Sequence, residues 1–222
     1  MSASRRSPAT PAPRRNSAGP GRPKDLAKRE AVLRAATTLF MEQGYAGTSM
    51  DAVAAAAGVS KLTVYSHFGD KEGLFNAAVQ ATCAAMMPPA LFQPDDGAPL
   101  REQLLQIAVA LHGLVGSPAS LATQRIMLDP ATDNHIRQLF WQAGPQCMHT
   151  TFAAFLRRLA DSGQLAIADV DTAARQFFHL VHGQLLTELM SGQAAAPDST
   201  PAPSPLAAAV DLFLRAHSPQ PN

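Results

Sequence analysis

The sequence predicts an all-helical protein with an N-terminal three-helix domain and a larger C-terminal helical domain. Apolar side chains recur every three or four residues along most of the chain, which is the spacing of amphipathic helices. Hydrophobic residues make up 46% of the 222 residues and aromatic residues only 6%. No run alternates β-branched and polar residues, so strands are not expected. The predicted divisions are a basic arm at residues 1–24, a first domain at 25–75 and a second at 76–218.

Residues 1–24 form a basic arm rich in Pro, Ser and Ala, and they include no acidic residue. A segment of this composition buries too little apolar area to fold alone, so we expect it to be disordered. Such an arm can contact phosphates or enter the minor groove of a duplex. The alternative is that it only keeps the chain in solution. Its cations are Arg5, Arg6, Arg14, Arg15, Arg22 and Lys24.

The first predicted helix runs from Asp25 to Gln43, and Gly44 follows as a left-handed end. Two short helices joined by a tight turn then lie between Thr48 and Lys71. Thr48 with Asp51 three residues later indicates a capping box at the start of the first short helix. Its apolar stripe is Met50, Val53, Ala54 and Ala57. Gly58 supplies a left-handed turn and Ser60 caps the next helix, so the pattern is helix, sharp turn, helix.

The second short helix has an outward face that is unusual for a surface exposed only to water. Val59, Val64 and Phe68 can pack inward. The opposite face presents Lys61, Leu62, Tyr65 and Ser66. In a DNA major groove, such side chains meet thymine methyls and backbone phosphates, which predicts a nucleic-acid reader. The alternative is a helical corner with a polar outer face.

The segment GVSKLTVYSHFGDKEGLF, preceded by a helix ending in LFMEQGYAGTSM, resembles the N-terminal DNA-binding domain of TetR/AcrR transcriptional regulators. The resemblance covers residues 26 to 76. The positions that carry it are Gly44, Thr48, Gly58, Val59, Ser60, Tyr65, His67, Phe68 and Lys71. Leu62 and Ser66 differ from the residues common in relatives, so the preferred DNA sequence does not follow from the resemblance.

Face, spacing and resemblance together assign the expected DNA contacts. The candidates for base edges are Lys61, Leu62 and Ser66, and those for phosphates are Thr48, Ser49, Thr63, Tyr65, His67 and Lys71. Charge agrees with this assignment, because residues 1–75 hold 11 Lys/Arg against 6 Asp/Glu, a net of +5. Residues 76–222 carry a net of −4, with 7 against 11. The basic half therefore contains the predicted reader.

The second domain is predicted to consist of further helices separated by Gly, Pro and capping residues. A fourth helix starts after Asp70 and ends before Pro88 and Pro89. Residues 90–98 are expected to form a loop and residues 192–205 a Pro/Ala linker. The remaining predicted helices are Leu100–Val115, Ala119–Leu128, Thr132–Ser162 with a bend at Gly144–Pro145, Val170–Ser191 and Leu206–His217.

Helices four to seven are expected to enclose an apolar pocket for a small hydrophobic effector. The expected lining comprises Met86, Met87, Leu111, His112, Met127, Phe140, Trp141, Met148, His149 and Phe152, with His112 or His149 as a polar anchor. The alternative is that these side chains form an ordinary packed core.

Helices 170–191 and 206–217 are the expected homodimer surface, which would present two readers to a palindromic operator. The alternative is that both helices only close the monomer core. The stretch QAGP and the following FLRRLADSGQL resemble the C-terminal domain of the AefR-like branch of the same family. In that family the corresponding helices dimerise.

Enzymatic activity and cofactors are not expected, since there is no Gly-rich phosphate loop and no G-x-S-x-G motif. His179 and His182 lack further ligands at a recognised metal-binding spacing, and Cys83 and Cys147 suggest no disulfide framework. Without a signal peptide or a long apolar run, a cytoplasmic protein is expected. The sequence thus predicts an effector-released repressor. An activator of the same fold, or a helical ligand-binding or enzyme domain with a merely structural helix-turn-helix, remains open.

Overall fold

The protein is described by a computed structural model that covers residues 22–94, 97–130, 132–191 and 203–219. Most of the predicted arm and most of the predicted linker lie outside the described residues. All regular elements within the described ranges are helical, which confirms the predicted all-α fold. The helices are α1 (Arg22–Gly47), α2 (Met50–Ala57), α3 (Lys61–Phe68), α4 (Lys71–Met86), α5 (Leu100–Gly116), α6 (Pro118–Leu128), α7 (Asn134–Trp141), α8 (Cys147–Asp161), α9 (Val170–Met190) and α10 (Pro203–His217).

The N-terminal core is built by α1 to α4 together with α7. It comprises Val32, Ala36, Phe40, Met50, Val53, Ala54, Val64, Leu74, Phe75, Ala78 and Leu139. Leu139 belongs to α7, which is far away in sequence, so a helix of the predicted second domain covers the first core. The division at residue 75 stays a prediction, because α4 contributes to both parts of the molecule.

The C-terminal core is formed by α5, α8, α9 and α10 around Phe152. The ring of Phe152 lies 4.7 Å from that of Phe177, 5.3 Å from that of Phe178 and 6.0 Å from that of Phe155. Phe177 in turn meets Phe213 of α10 edge to face at 5.1 Å. Aromatic pairs at these separations bind each other beyond what their buried area contributes.

Helix α1 continues to Gly47 but is interrupted at Gly44, where the sequence predicts its end. Gly44 has φ 69° and ψ 177°, values that residues with a Cβ rarely adopt. The last turn of α1, residues 45–47, therefore departs from the axis of the helix. A Cβ at Gly44 would lie 3.6 Å from Ile126 of α6, so this kink rests against the C-terminal domain.

The single bent helix predicted over residues 132–162 is two helices joined by a π-helical turn, Gln142–Gln146. Pro145 lies inside this turn and has no backbone N–H to donate, which explains why regular α-helical bonding breaks there. Helix α7 starts after Asp133, whose carboxylate accepts a bond of 2.6 Å from the His135 amide. A 3-10 turn, Pro89–Phe92, overlaps the start of the predicted loop at 90–98.

Among the described residues, no single helix is long and apolar enough to cross a membrane. Helices α5 and α6 reach that length and composition only as a pair, and they are bent by 57° relative to each other.

Candidate nucleic-acid interface and ligand cavity

The sequence predicts that Thr48 caps helix α2. In the structure, Ser49 is the cap. The Ser49 hydroxyl accepts a bond of 3.1 Å from the Ala52 amide. Thr48 is only 2% exposed, and its hydroxyl donates to the Gly44 carbonyl at 2.8 Å. The Thr48 side chain thus turns inward and donates to a carbonyl in the last turns of α1. The assignment of the Thr48 side chain to a phosphate is therefore corrected, because that side chain is not at the surface.

The turn that orients α3 has the predicted geometry. Gly58 is left-handed, with φ 65° and ψ 33°. Ser60 caps α3 by accepting from the Thr63 amide at 3.1 Å, and its hydroxyl also pairs with the Thr63 hydroxyl at 2.8 Å. Val64 is fully buried beneath the helix. With its first turn capped and its underside anchored, α3 is held as a rigid element.

The outward face of α3 is exposed, as the sequence predicts. Leu62 is 78% exposed, and Tyr65 is exposed beside it. Ser66 is also exposed, with its hydroxyl donating to the Thr63 carbonyl at 2.8 Å. An apolar side chain this open to water gains little from the fold itself. The face has the mixed apolar and polar character of a surface that contacts base edges.

Lys61 is already engaged with an acid on the neighbouring helix. Its Nζ lies 2.9 Å from the carboxylate of Asp51, and both side chains are exposed. This hydrogen bond and the charge of Asp51 raise the pKa of Lys61. The ammonium also lies 5.9 Å from the centre of the Tyr65 ring. Lys61 is therefore held near the α3 face by an exposed pair, which costs little to break.

The other phosphate candidates flank this face. Ser49 is exposed at the start of α2, whereas Thr63 and His67 of α3 are half-buried. Lys71 is half-buried in the first turn of α4, which is capped by Asp70 accepting from the Gly73 amide at 2.7 Å. A helix N-terminus carries partial positive charge, so Lys71 adds to a field that attracts anions.

A cavity of about 660 Å³ lies between α1 of the N-terminal part and the helices of the C-terminal part. Of the expected lining residues, Leu111, Met127, Phe140, Trp141, Met148 and His149 do line it. Its size and mostly apolar wall match those of small-molecule pockets.

Four expected lining residues do not contribute to this wall. Phe152 is fully buried and Met87 nearly so, and both belong to the C-terminal core. Met86 is exposed at the end of α4, and His112 is half-buried near His182. These corrections have one cause: helical spacing shows that a side chain is buried, but it does not distinguish packed core from cavity wall.

The sequence interpretation missed the contributions of α1 and α9 to the wall. Helix α1 provides Thr37, Phe40, Met41 and Tyr45, and α9 provides Arg175, Phe178, His179, His182 and Leu186. The α1 residues follow the helical spacing of a buried face, but nothing in the sequence indicates that this face meets a cavity.

Polar groups gather at the α8–α9 side of the cavity. His149 donates from Nε2 to the Asp171 carbonyl at 3.0 Å, and Arg175 donates to the Thr172 hydroxyl at 3.1 Å. Burial, with the nearby His179 and His112, lowers the pKa of His182, so this imidazole is neutral at pH 7. Arg175, whose guanidinium stays protonated, carries a permanent positive charge at this side of the cavity.

The thiol of Cys83 also lines the cavity. Burial, with a smaller effect of Cys147, raises the pKa of Cys83, so its thiol is protonated at neutral pH. Both cysteines are free. Within the described ranges, no group of three or more His, Cys, Asp or Glu side chains could hold a metal ion.

Helices α9 and α10 each bury one face and expose another. Phe177, Val210 and Phe213 lie in the C-terminal core, so both helices help to close it. The other faces carry Leu180 and Leu212, both exposed. These two side chains line a groove with Gln176, His179, Phe213, Ala216 and His217.

Two family profiles match the chain. The profile described as "AefR-like transcriptional repressor, C-terminal domain" matches residues 102–219, and "Bacterial regulatory proteins, tetR family" matches residues 32–78. Among solved structures, the chain resembles "Flavonoid-responsive Regulator FrrA", with 32% identity, a TM-score of 0.67, and coverage of 87% of this chain and 98% of FrrA. A TetR-family regulator from Mesorhizobium loti MAFF303099 has 26% identity and a TM-score of 0.64, with 88% and 98% covered.

Curated relatives match over shorter stretches. The transcriptional regulator RutR of Escherichia coli K12 is 35% identical over 74 residues, which are 33% of this chain and 35% of RutR. SrpR of Pseudomonas putida is 29% identical over 168 residues, which are 73% of this chain and 76% of SrpR. The chain spans only 39% of the length of YdeS of Bacillus subtilis, at 30% identity.

Proposed function

Because the chain belongs to the TetR family of bacterial transcriptional regulators, not to a family of enzymes, we propose that it binds an operator in double-stranded DNA as a homodimer. An effector in the cavity then releases the operator. The observation that supports DNA reading best is the capped α3, which exposes Leu62 to 78%. As a repressor in the cytoplasm, the protein would block transcription until the effector accumulates.

In the proposed complex, α3 enters the major groove. Lys61, Leu62 and Ser66 contact base edges there. Ser49, Thr63, Tyr65, His67 and Lys71 contact the flanking phosphates and set the register. Lys61 exchanges Asp51 for the DNA, a partner of far higher negative charge.

The two kinds of DNA contact predict two kinds of mutant. Lys71→Ala is expected to weaken binding to all duplexes alike, about threefold to tenfold, and to reduce the salt slope by about one. Lys61→Ala or Ser66→Ala is expected to change the ranking of operator variants by roughly fivefold or more. Fluorescence anisotropy with a panel of labelled duplexes at several salt concentrations measures both effects. An unchanged ranking in Lys61→Ala would show that this residue does not read bases.

The proposed dimer joins the exposed faces of α9 and α10 with those of a second copy. Leu180 and Leu212 are apolar and exposed on adjacent helices, and pairing two such faces gives a four-helix packing. A two-fold axis then presents two α3 helices to a palindromic site. A monomeric mass in sedimentation equilibrium would contradict this assembly.

The proposed effector is a mostly apolar molecule with a polar or acidic edge. Aromatic side chains of α1, α4 and α7 offer a wall for a flat apolar body, and Arg175 of α9 adds a cation to the lining. FrrA, by its name, responds to flavonoids, which are flat molecules with hydroxyl groups. Hydroxylated flavones are therefore the first compounds to test.

Trp141, the only tryptophan of the chain, reports on the cavity. Binding of 7-hydroxyflavone is expected to change the Trp141 fluorescence, and the same ligand should weaken operator binding by roughly 5- to 150-fold. Ala119→Phe, which places a ring on the cavity wall, should lose the fluorescence response while remaining folded. If flavones and other flat apolar compounds bind without changing operator affinity, the cavity does not control DNA binding.

A further inference from the structure

The ammonium of Lys71 has a defined seat on the last turn of α1. Its Nζ lies 4.4 Å from the centre of the Tyr45 ring, within the range of a cation–π contact. The same Nζ donates to the Ala46 carbonyl at 3.4 Å. Burial in this seat lowers the pKa of Lys71. Two neighbouring residues of one helical turn therefore fix where this cation points.

The ring of Tyr45 is also part of the cavity wall. It stacks on Phe40 with centroids 6.0 Å apart and meets Phe75 edge to face at 5.3 Å. Phe40 and Phe75 are themselves 5.1 Å apart, and all three rings line the cavity. One side chain thus contacts the cavity and the cation at the start of α4.

The turn that carries Tyr45 and Ala46 follows the Gly44 kink. Because Gly44 kinks α1, this turn leaves the axis of the preceding helix. Ile126 of α6 lies beside Gly44, and Ile126 and its neighbour Met127 both line the cavity. A molecule that displaces α6 or the aromatic rings therefore acts directly on the turn that seats Lys71.

We propose that Tyr45 is a positioning residue that holds the Lys71 ammonium for a DNA phosphate and couples that cation to the contents of the cavity. The inference rests on the proposed function, since it requires Lys71 to contact DNA. It adds a direct coupling through α1. When the cavity is filled, the Tyr45 ring shifts, and the Lys71 ammonium loses its contacts with Tyr45 and the Ala46 carbonyl. The contact between Lys71 and the phosphate then weakens. The coupling is local, because the cavity and the cation share one side chain.

A double-mutant cycle tests the positioning role without a known operator or effector. The probe is a fluorescein-labelled 30-base-pair duplex of arbitrary sequence at low salt, since phosphate contacts are independent of sequence. Tyr45→Leu is expected to weaken binding about threefold to tenfold, whereas adding it to Lys71→Met should change binding by less than about 1.5-fold. Tyr45→Phe keeps the ring and should bind as the unmodified protein does.

The outcomes separate the two levels of the proposal. Should the unmodified protein fail to bind the duplex, the proposed function is wrong and the positioning role with it. Suppose instead that the unmodified protein binds but that Tyr45→Leu weakens binding equally in the original and Lys71→Met backgrounds. In that case, or if Tyr45→Phe behaves like Tyr45→Leu, Tyr45 acts only on the stability of the domain. Thermal melts of each variant establish that it is folded.

A cavity-filling substitution tests the link to the cavity. Thr123→Trp places a large ring on the α6 wall and is expected to weaken binding to the same duplex about threefold. In the Tyr45→Leu background it should have no further effect. If Thr123→Trp does not fold, Ser120→Phe is a smaller substitution on the same wall. The matched control is Val109→Trp, because Val109 lies on the exposed surface of α5. If Thr123→Trp weakened binding equally in the original and the Tyr45→Leu backgrounds, Tyr45 would not couple the cavity to Lys71.

Discussion

Phe152→Ala is expected to lower the free energy of unfolding by roughly 3–5 kcal/mol, one of the largest single-residue effects in the chain. Phe152 is fully buried, and its ring contacts those of Phe155, Phe177 and Phe178. Its removal leaves a cavity between α8 and α9, and the remaining rings fill such a space only in part. The measurement is urea denaturation followed by far-ultraviolet circular dichroism at one fixed protein concentration, because the proposed dimerisation would contribute to stability.

Trp141→Ala is the matched control for this substitution. Trp141 is the larger side chain, but it is 58% exposed, so its loss is expected to cost less than about 1.5 kcal/mol. The contrast separates a packed core from a cavity wall. If both variants lost the same stability, Phe152 would not be the centre of the C-terminal core.

Leu62→Glu is expected to weaken duplex binding about 100-fold while leaving the thermal midpoint within about 2 °C of the original. Leu62 contributes little to the fold because it is 78% exposed. In the groove, however, the new carboxylate would face two phosphate strands and lose its water. Fluorescence anisotropy with the operator duplex measures the loss.

Val109→Glu provides the same chemical change at a second exposed apolar residue, on α5. It is expected to bind DNA as the unmodified protein does, because α5 belongs to the C-terminal core and not to the proposed interface. Comparable losses in the two variants would mean that net charge, rather than the face of α3, determines binding.

The local signals in the sequence predicted the helix-turn-helix well. Gly58 and Ser60 have the predicted turn and cap, and Asp70 caps α4 as expected. Caps and left-handed turns depend on a few neighbouring residues, so a single sequence contains the information. The exposed face of α3 followed from the same spacing.

The exchange of Thr48 and Ser49 shows where local signals fail. Two adjacent hydroxyl residues are both suitable caps. In the structure Thr48 turns inward to the Gly44 carbonyl, and Ser49 caps α2. The kink at Gly44 was predicted as an end of the helix. Its actual conformation depends on α6 packing beside Gly44, which is a contact between distant parts of the chain.

The cavity was predicted in part for a similar reason. Trp141, Met148 and His149 lie near one another in sequence around the π-helical turn, and all three line the cavity. The contribution of α1 could not be predicted, because it depends on how the N-terminal part packs against α6 and α7. Tyr45 thus entered the sequence interpretation only as part of a family motif.

Footprinting on the DNA upstream of the gene for this protein tests most directly whether the outward face of α3 reads a duplex. We expect protection of a site with two-fold symmetry, with half-sites about 34–36 Å apart or a multiple of that distance, which is lost in Leu62→Glu but not in Val109→Glu. Absence of any protected site at low salt, or a footprint that Leu62→Glu leaves intact, would contradict DNA reading by α3.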